Sequence, residues 1–541
     1  MKRNYLLLYI IRPALLLVLF NTNIRAQQQP NILWITAEDI SPRFSFYGDS
    51  TIQTPSLEKL ANDGVVYDRA FATYGVCAPS RHSLIMGMYP TSTGAGAMRT
   101  WKRTSAINEI SDPDLLNIPL YEATPPTGAK CFTEYLRAAG YYCTNNHKTD
   151  YQFSPPITAW DESSNNAHWR NRPDKDMPFF SVFNFNVTHE SSIHQPKFPA
   201  VTNPGRINIP PYYPNTSTVR QDMAIHYDNI VALDQKIGVL LTQLEEDNLL
   251  DNTIIFFFGD HGDGLPRAKR WVYDSGIRVP LIIRFPELVN ETRNEELVSF
   301  VDFAPTVLSL ANIQIPPHME GQAFLGNQKS NPRTYIYAFR DRMDPAPETI
   351  RAVRDKQFKY IRNYRPDLPY IGFIPYRDRM KMMQEINQLA TEQKLNENQW
   401  QFWAKGKPIE ELYDTQNDPH EITNLAADPA YNYKLLELRK AHEVWTAKYG
   451  DLGRISEEEL VKKLWAPDGK QPSTAKPNIN LQGLLIEITC ETEGASIAYR
   501  INKSGRWLLY TEPFSVKDVR LVESKAIRLG WKESESAIFQ L

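Results

Sequence analysis

At 541 residues, with 42% hydrophobic and 23% charged side chains, the chain is too long for one simple core and reads as an ordinary globular protein of two or three domains. Lys plus Arg number 60 against 63 Asp plus Glu, a net charge of −3. That balance leaves no whole-molecule field for gripping a polyanion and disfavours nucleic acid, so an anionic substrate must meet a local cluster of cations.

In chain order, Lys2 and Arg3 precede an apolar run from Tyr5 to Phe20, and Ile24-Arg25-Ala26 offers a small-residue processing site. This is the layout of a secretory signal peptide over residues 1–26. Arg12 and Pro13 interrupt the run, which is short for a membrane span. An exported protein is expected, periplasmic or secreted, with no membrane span after processing. The cysteines, at 77, 131, 143 and 490, are too few for a disulfide framework; Cys131 and Cys143 either pair or stay as buried thiols.

Asn31 to Thr36 is a short apolar run that predicts a buried strand, with Glu38 and Asp39 at its carboxyl end. Residues 55–61 predict a helix closed by Asp63-Gly64, and residues 65–72 a strand. Further apolar strands are predicted at 179–185, 253–258 and 280–285, with helices at 133–139 and 218–246 between them. This alternation predicts an α/β fold around a large, mostly parallel sheet flanked by helices. In such sheets ligands bind beyond the carboxyl ends of the strands, where Glu38-Asp39 and Asp260-His261 can converge.

The texture changes near Arg351. Residues 354–362 predict one strand of a smaller sheet, and 376–404 and 429–449 predict helices around a turn-rich segment at 413–419. Proline at 467, 472 and 477 marks a linker over 466–478. Alternating strands at 484–490, 496–501 and 520–528 predict a small β-sandwich. The expected domains are therefore 27–350 (catalytic), 351–465 (an α+β subdomain) and 479–541 (accessory).

The strongest motif is Cys77-Ala78-Pro79-Ser80-Arg81, followed by Leu84 and Gly87. It resembles the signature of the type I sulfatases of the alkaline-phosphatase-like superfamily, in which a maturation enzyme oxidises the cysteine to formylglycine. The resemblance continues in order through Glu38-Asp39, Gly140 to Asp150, Asn186 to His189, Gly259-Asp260-His261-Gly262, Lys269 with Tyr273 to Pro280, and Glu411 to Leu425. It implies a calcium ion held by Glu38, Asp39, Asp260 and His261 together with residue 77. It implies Cys77 as nucleophile, Arg81, Lys148 and Lys269 as cations for the nucleophile and sulfate, and His189 as proton donor. Glu38 stands where an aspartate is usual, and Asp150 where a histidine is usual.

These residue types suit the chemistry. A sulfate monoester repels a nucleophile unless its oxygens are neutralised, and calcium takes several hard oxygen ligands. A hydrated formylglycine carries two hydroxyls on one carbon; one attacks sulfur and the other expels sulfate, dividing one hard reaction in two. Arg340 and Arg342 lie in an Arg-rich stretch suited to carboxylates and sugars, and are expected to bind substrate. This stretch and the Lys148 to Tyr151 variant resemble the branch related to N-sulfoglucosamine sulfohydrolases. The resemblance implies a sulfated glycan substrate, algal (ulvan, for example) or a glycosaminoglycan. The alternatives are a formylglycine-dependent phosphodiesterase or phosphonate hydrolase, an N-sulfoglucosamine sulfohydrolase, and an inactive glycan-binding homologue.

Overall fold

The computed structural model describes residues 29–101, 119–287 and 292–541; the expected signal peptide lies outside the described residues. The first strand, β1 (Asn31–Ala37), is buried along its whole length. It lies between β5 (Phe179–Phe185) and β6 (Thr253–Gly259) and is parallel to both. A strand covered on both faces has no polar side to show, which is why these segments are unbroken apolar runs. The sheet continues through β3 (Tyr142–Asn146) and β4 (Glu162–Ser163) on one side. On the other side come β8 (Leu281–Arg284), β2 (Val65–Phe71) and β7 (Arg278–Val279), with β9 (Arg293–Ser299) also pairing β2. The pairings of β8 with β6 and β2, and of β7 with β2, are antiparallel; the others are parallel.

Helices cover both faces. On one, Trp34 of β1 meets Phe132, Phe180 and Phe258 at ring distances of 5.4, 5.1 and 5.3 Å, beneath the helices Cys77–Met86, Phe132–Ala138 and Phe303–Leu310. On the other, Leu33 and Ile35 pack with Tyr227, Ile230 and Leu233 of the long helix Ser217–Glu246. Alternation along β1 thus feeds two cores and leaves the strand ends free for chemistry.

A second, antiparallel sheet is formed by β10 (Ile336–Arg340), β11 (Ile350–Arg354), β12 (Phe358–Asn363) and β13 (Glu410–Asp414). It takes in β10, on the catalytic side of the boundary expected at 351. The single strand expected at 354–362 is instead a hairpin. Asp355 accepts from the backbone N–H groups of Gln357 and Phe358 (2.7 and 2.6 Å), which turns the chain between β11 and β12. The helix expected at 376–404 is broken into Pro375–Asp378, Lys381–Thr391 and Glu397–Trp400. Buried Lys359 ties this sheet to the catalytic domain, 2.6 Å from Asp274 and 2.7 Å from Glu421.

The C-terminal residues form two small antiparallel sheets around Ile486, Ile488 and Val522. They pack against the region of the large sheet and against Trp465. Arg137 donates to the Trp507 carbonyl (2.8 Å), Arg506 pairs with Asp161 (2.7 Å), and the Trp465 indole donates to the Gly530 carbonyl (3.0 Å). Cys131 and Cys143 are free, buried thiols.

Candidate active site

The site is assembled at strand ends. Because Ala37 pairs with Gly259 and with Phe185, the residues leaving β1, β6 and β5 emerge side by side. Glu38 and Asp39 follow β1, Asp260 and His261 follow β6, and His189 and Glu190 follow β5. Asp39 turns the chain with a φ of 53°, a left-handed conformation uncommon for non-glycine residues that aspartate adopts more readily than most. Its backbone N–H donates to Asp260 Oδ1 (3.1 Å).

Five carboxylates, of Glu38, Asp39, Asp150, Glu190 and Asp260, gather here with cations against them. Lys269 Nζ bonds both Asp39 oxygens at 2.9 and 2.6 Å, and lies 3.1 Å from Glu190. Arg81 donates from Nε to Asp260 Oδ2 (3.1 Å) and from Nη1 to Asn184 Oδ1 (2.6 Å). Lys148 pairs with Glu38 (2.8 Å) and lies 3.5 Å from Asp150. Burial opposes the charge on Asp39, yet Lys269, His189 and His261 hold its carboxyl well below the usual range. Asp150 is treated the same way: burial resists ionisation, but Lys148 and Arg99 bring it down to about 2.

Cys77 opens the helix Cys77–Met86 and is 1% exposed. Burial alone would raise its thiol pKa, but Lys148 and the neighbouring His261 outweigh it and lower the value. Position 77 therefore favours negative charge. His189 stands at the open side of the cluster, 20% exposed, with Nδ1 2.8 Å from Ser191 Oγ and Nε2 3.9 Å from Glu38. Burial and then Lys269 lower its pKa.

The residues present fit a metal ion. Ligand atoms of Glu38, Asp39 and His189 lie within 4.8 Å of one another, as do those of Asp39, Asp260 and His261. His261 Nε2 is buried 3.0 Å from Asp39 Oδ1, yet makes no hydrogen bond to it. Burial opposes a charge on that ring, but Asp260 and Asp39 push its pKa up to about 10. Hard carboxylate oxygens in this number suit calcium.

Nine residues expected from the sequence thus meet in one place: Glu38, Asp39, Cys77, Arg81, Lys148, His189, Asp260, His261 and Lys269. Arg340 and Arg342 sit elsewhere. Arg340 is 2% exposed and lies flat on Trp271, 3.7 Å from the ring centre. Arg342 is held by Glu457 (2.9 Å) and donates to the carbonyls of Met98 and Asp344. Arg340 is buried, and Arg342 lines a cleft together with Tyr121 and Glu457.

Sequence reasoning passed over Glu190, Arg270, Asn184 and Arg99. Glu190 grips Arg270 through two bonds of 2.7 and 3.1 Å, while its backbone N–H donates to Asp39 Oδ2 (2.7 Å). Adjacency to His189 and Lys269 was the available signal for that pair. Arg99 carries no such mark; only folding brings its Nη2 to 4.0 Å from Cys77 Sγ.

A family model described as Sulfatase matches residues 30–313, and one described as N-sulphoglucosamine sulphohydrolase, C-terminal, matches residues 262–407. An ulvan-active sulfatase of Formosa agariphila is 46% identical over 557 aligned residues, covering 95% of this chain and 92% of that protein. The N-sulphoglucosamine sulphohydrolase of Homo sapiens is 24% identical, covering 80% of this chain and 92% of its own. Among solved structures, one in complex with D-glucosamine-2-N,6-O-disulfate has a TM-score of 0.54 at 19% identity, covering 80% of this chain and 100% of that one. The phosphonate monoester hydrolase of Agrobacterium radiobacter has a TM-score of 0.56 at 17% identity, covering 79% and 97%. Both structures share the fold. With the family model spanning more than half of its length and a relative at 46% identity matched almost end to end, this chain belongs to the sulfatase family.

Proposed function

We propose that this sulfuric ester hydrolase removes sulfate from an ulvan-type polysaccharide or its oligosaccharides, outside the cytoplasm, using formylglycine at position 77 and a calcium ion. The 46% identity to an ulvan-active sulfatase, over nearly the whole of both chains, supports the substrate class. The observation that carries the chemistry is the buried residue 77 at a helix start, beside Lys148 and His261 and facing a cluster of carboxylates.

Oxidised to formylglycine and hydrated, residue 77 supplies one hydroxyl to attack sulfur and a second to expel sulfate. Glu38, Asp39, Asp260 and His261 would hold the calcium, which supplies Lewis acidity toward a sulfate oxygen. The protein's own residues do the rest. Lys148 and Lys269 place positive charge where the sulfate oxygens must sit, inside a site dry enough to strengthen the attraction. Arg81, one helical turn beyond residue 77, keeps Asp260 oriented toward it. His189, on the open side, is placed to give its proton to the departing sugar oxygen, and its lowered pKa makes it the stronger acid when protonated.

The test is sulfate release from defined ulvan oligosaccharides, run beside glycosaminoglycan oligosaccharides and an aryl phosphonate ester. Mass spectrometry of the residue 77 peptide accompanies the assay. Release from ulvan fragments, loss of release in Cys77→Ala and an aldehyde mass at 77 are expected. Preference for the phosphonate ester, or an unmodified thiol in fully active protein, would overturn the reading.

A further inference from the structure

Beside residue 77 lies a carboxylate that cannot donate to a sulfate. Asp150 sits between two cations, 3.5 Å from Lys148 Nζ and 3.6 Å from Arg99 Nη2. An anion so close to a sulfate pocket repels the substrate unless a cation is directed past it, and the cation on its far side is Arg99. The Arg99 guanidinium is about a quarter exposed (27%) and reaches Cys77 Sγ at 4.0 Å. Its Nε is buried without a hydrogen-bond partner among the described residues. A planar fork with spare donors, charged at any working pH, matches the oxygens of a sulfate.

The placement is built. Arg99, Asp150 and Gln152 all hold positive φ, at 56°, 51° and 65°. That conformation is uncommon for non-glycine residues, and for arginine and glutamine less favoured than for aspartate. Here the buried Gln152 side chain supplies the constraint. Its amide donates to the carbonyls of Ala95 (2.9 Å) and Ala97, and its oxygen accepts from the Thr100 N–H (3.3 Å). One glutamine therefore locks the loop bearing Arg99 onto the loop bearing Asp150.

We propose that Arg99 binds the sulfate group of the substrate directly and that Asp150 is the positioning residue that aims it. The inference rests on the sulfate-ester reading of the site, and binding of inorganic sulfate tests it without turnover. In a Cys77→Ala background, calorimetric titration of sulfate should show affinity falling about ten- to a hundredfold on Arg99→Gln, the range for a lost charge-assisted hydrogen bond. Arg99→Lys should recover part of it. Asp150→Asn should weaken sulfate binding less than Arg99→Gln, and the double variant should bind no worse than Arg99→Gln alone, because Asp150 acts through Arg99. In the enzyme matured at position 77, the same variants should change KM together with kcat/KM. Unchanged sulfate affinity in Arg99→Gln, strictly additive losses, or no sulfate binding by the parent protein would overturn the proposal. Failure of the parent to release sulfate from any glycan, with sulfate binding intact and dependent on Arg99, would sink the substrate reading and leave this one standing.

Discussion

Glu190 shows how much of the site is held by residues that never meet substrate. It binds Arg270 twice, lies 3.1 Å from Lys269, and sends its backbone N–H to Asp39. All these groups are buried, so removing one charge strands the others in a medium that solvates them poorly. Glu190→Gln is expected to cost about 3 kcal/mol in chemical denaturation, near the lower end for a broken buried pair. It should also slow turnover, because Lys269 is then held by Asp39 alone. Denaturation curves matching the unaltered protein would contradict this account. Lys269→Ala should slow catalysis strongly and also destabilise, since Asp39 and Glu190 both lose their shared cation; a variant with normal kcat would void the role assigned to it.

The helix Cys77–Met86 is buried at every position, so its polar residues must find partners inside the fold. His82 does so from both ring nitrogens, to the Tyr151 carbonyl (2.9 Å) and Thr93 Oγ1 (2.8 Å). Burial lowers its pKa from 6.5 to about 4. Above pH 6.5 the ring is neutral folded or unfolded, and its stabilising contacts are fully present. As pH falls from 6.5 toward 4, the unfolded chain takes up a proton that the fold excludes, so stability drains away on the order of 3 kcal/mol across that window. His82→Gln should flatten this stretch of the stability-against-pH curve, whatever it costs at neutral pH. An unchanged slope would mean that other groups carry it. At this scale the sequence was a good guide for β1, β5, β6 and the helix Ser217–Glu246, because strands buried on both faces and long amphipathic helices write their surroundings into composition. It was a poor guide to the hairpin at 354–362, where one aspartate turns the chain inside an otherwise strand-like run. It was silent on Arg99, whose partners lie across loops that only the tertiary fold brings together. It named Arg340 and Arg342 from residue type and a family resemblance, and neither distinguishes a guanidinium facing a ligand from one over Trp271 or held by Glu457.

Across the whole molecule, the C-terminal sheets act on the catalytic domain through a few buried or half-buried groups. Asp161 takes Arg137 from its own domain at 3.0 Å and Arg506 from the C-terminal sheets at 2.7 Å, and accepts from the Cys143 N–H in β3 (2.9 Å). The Trp507 ring is covered by Arg500, 4.7 Å from its centre, which leaves that face unavailable for stacking on a sugar. These contacts describe a brace. A chain ending before residue 479 should therefore unfold several degrees lower, by analogy with a loss of about 1–2 kcal/mol in a large domain, while turning over short oligosaccharides at close to the full rate. Equal melting temperatures would remove the bracing role, and a selective loss on long polysaccharide would assign the region to substrate capture. No helix among the described residues is long and apolar enough to cross a membrane.

The burial of Cys77 also sets an order of events. Its helix is covered at every position, and the residues around it come from strand ends spread from Glu38 to Lys269. On the formylglycine reading proposed above, an enzyme oxidising residue 77 would meet the Cys-Ala-Pro-Ser-Arg segment in extended form only before these strands have come together. Maturation and folding would then be in a race, and a chain that folds first would keep a thiol it can no longer present. On that reading, measured activity would report the fraction of molecules modified in time, as well as the quality of the finished site.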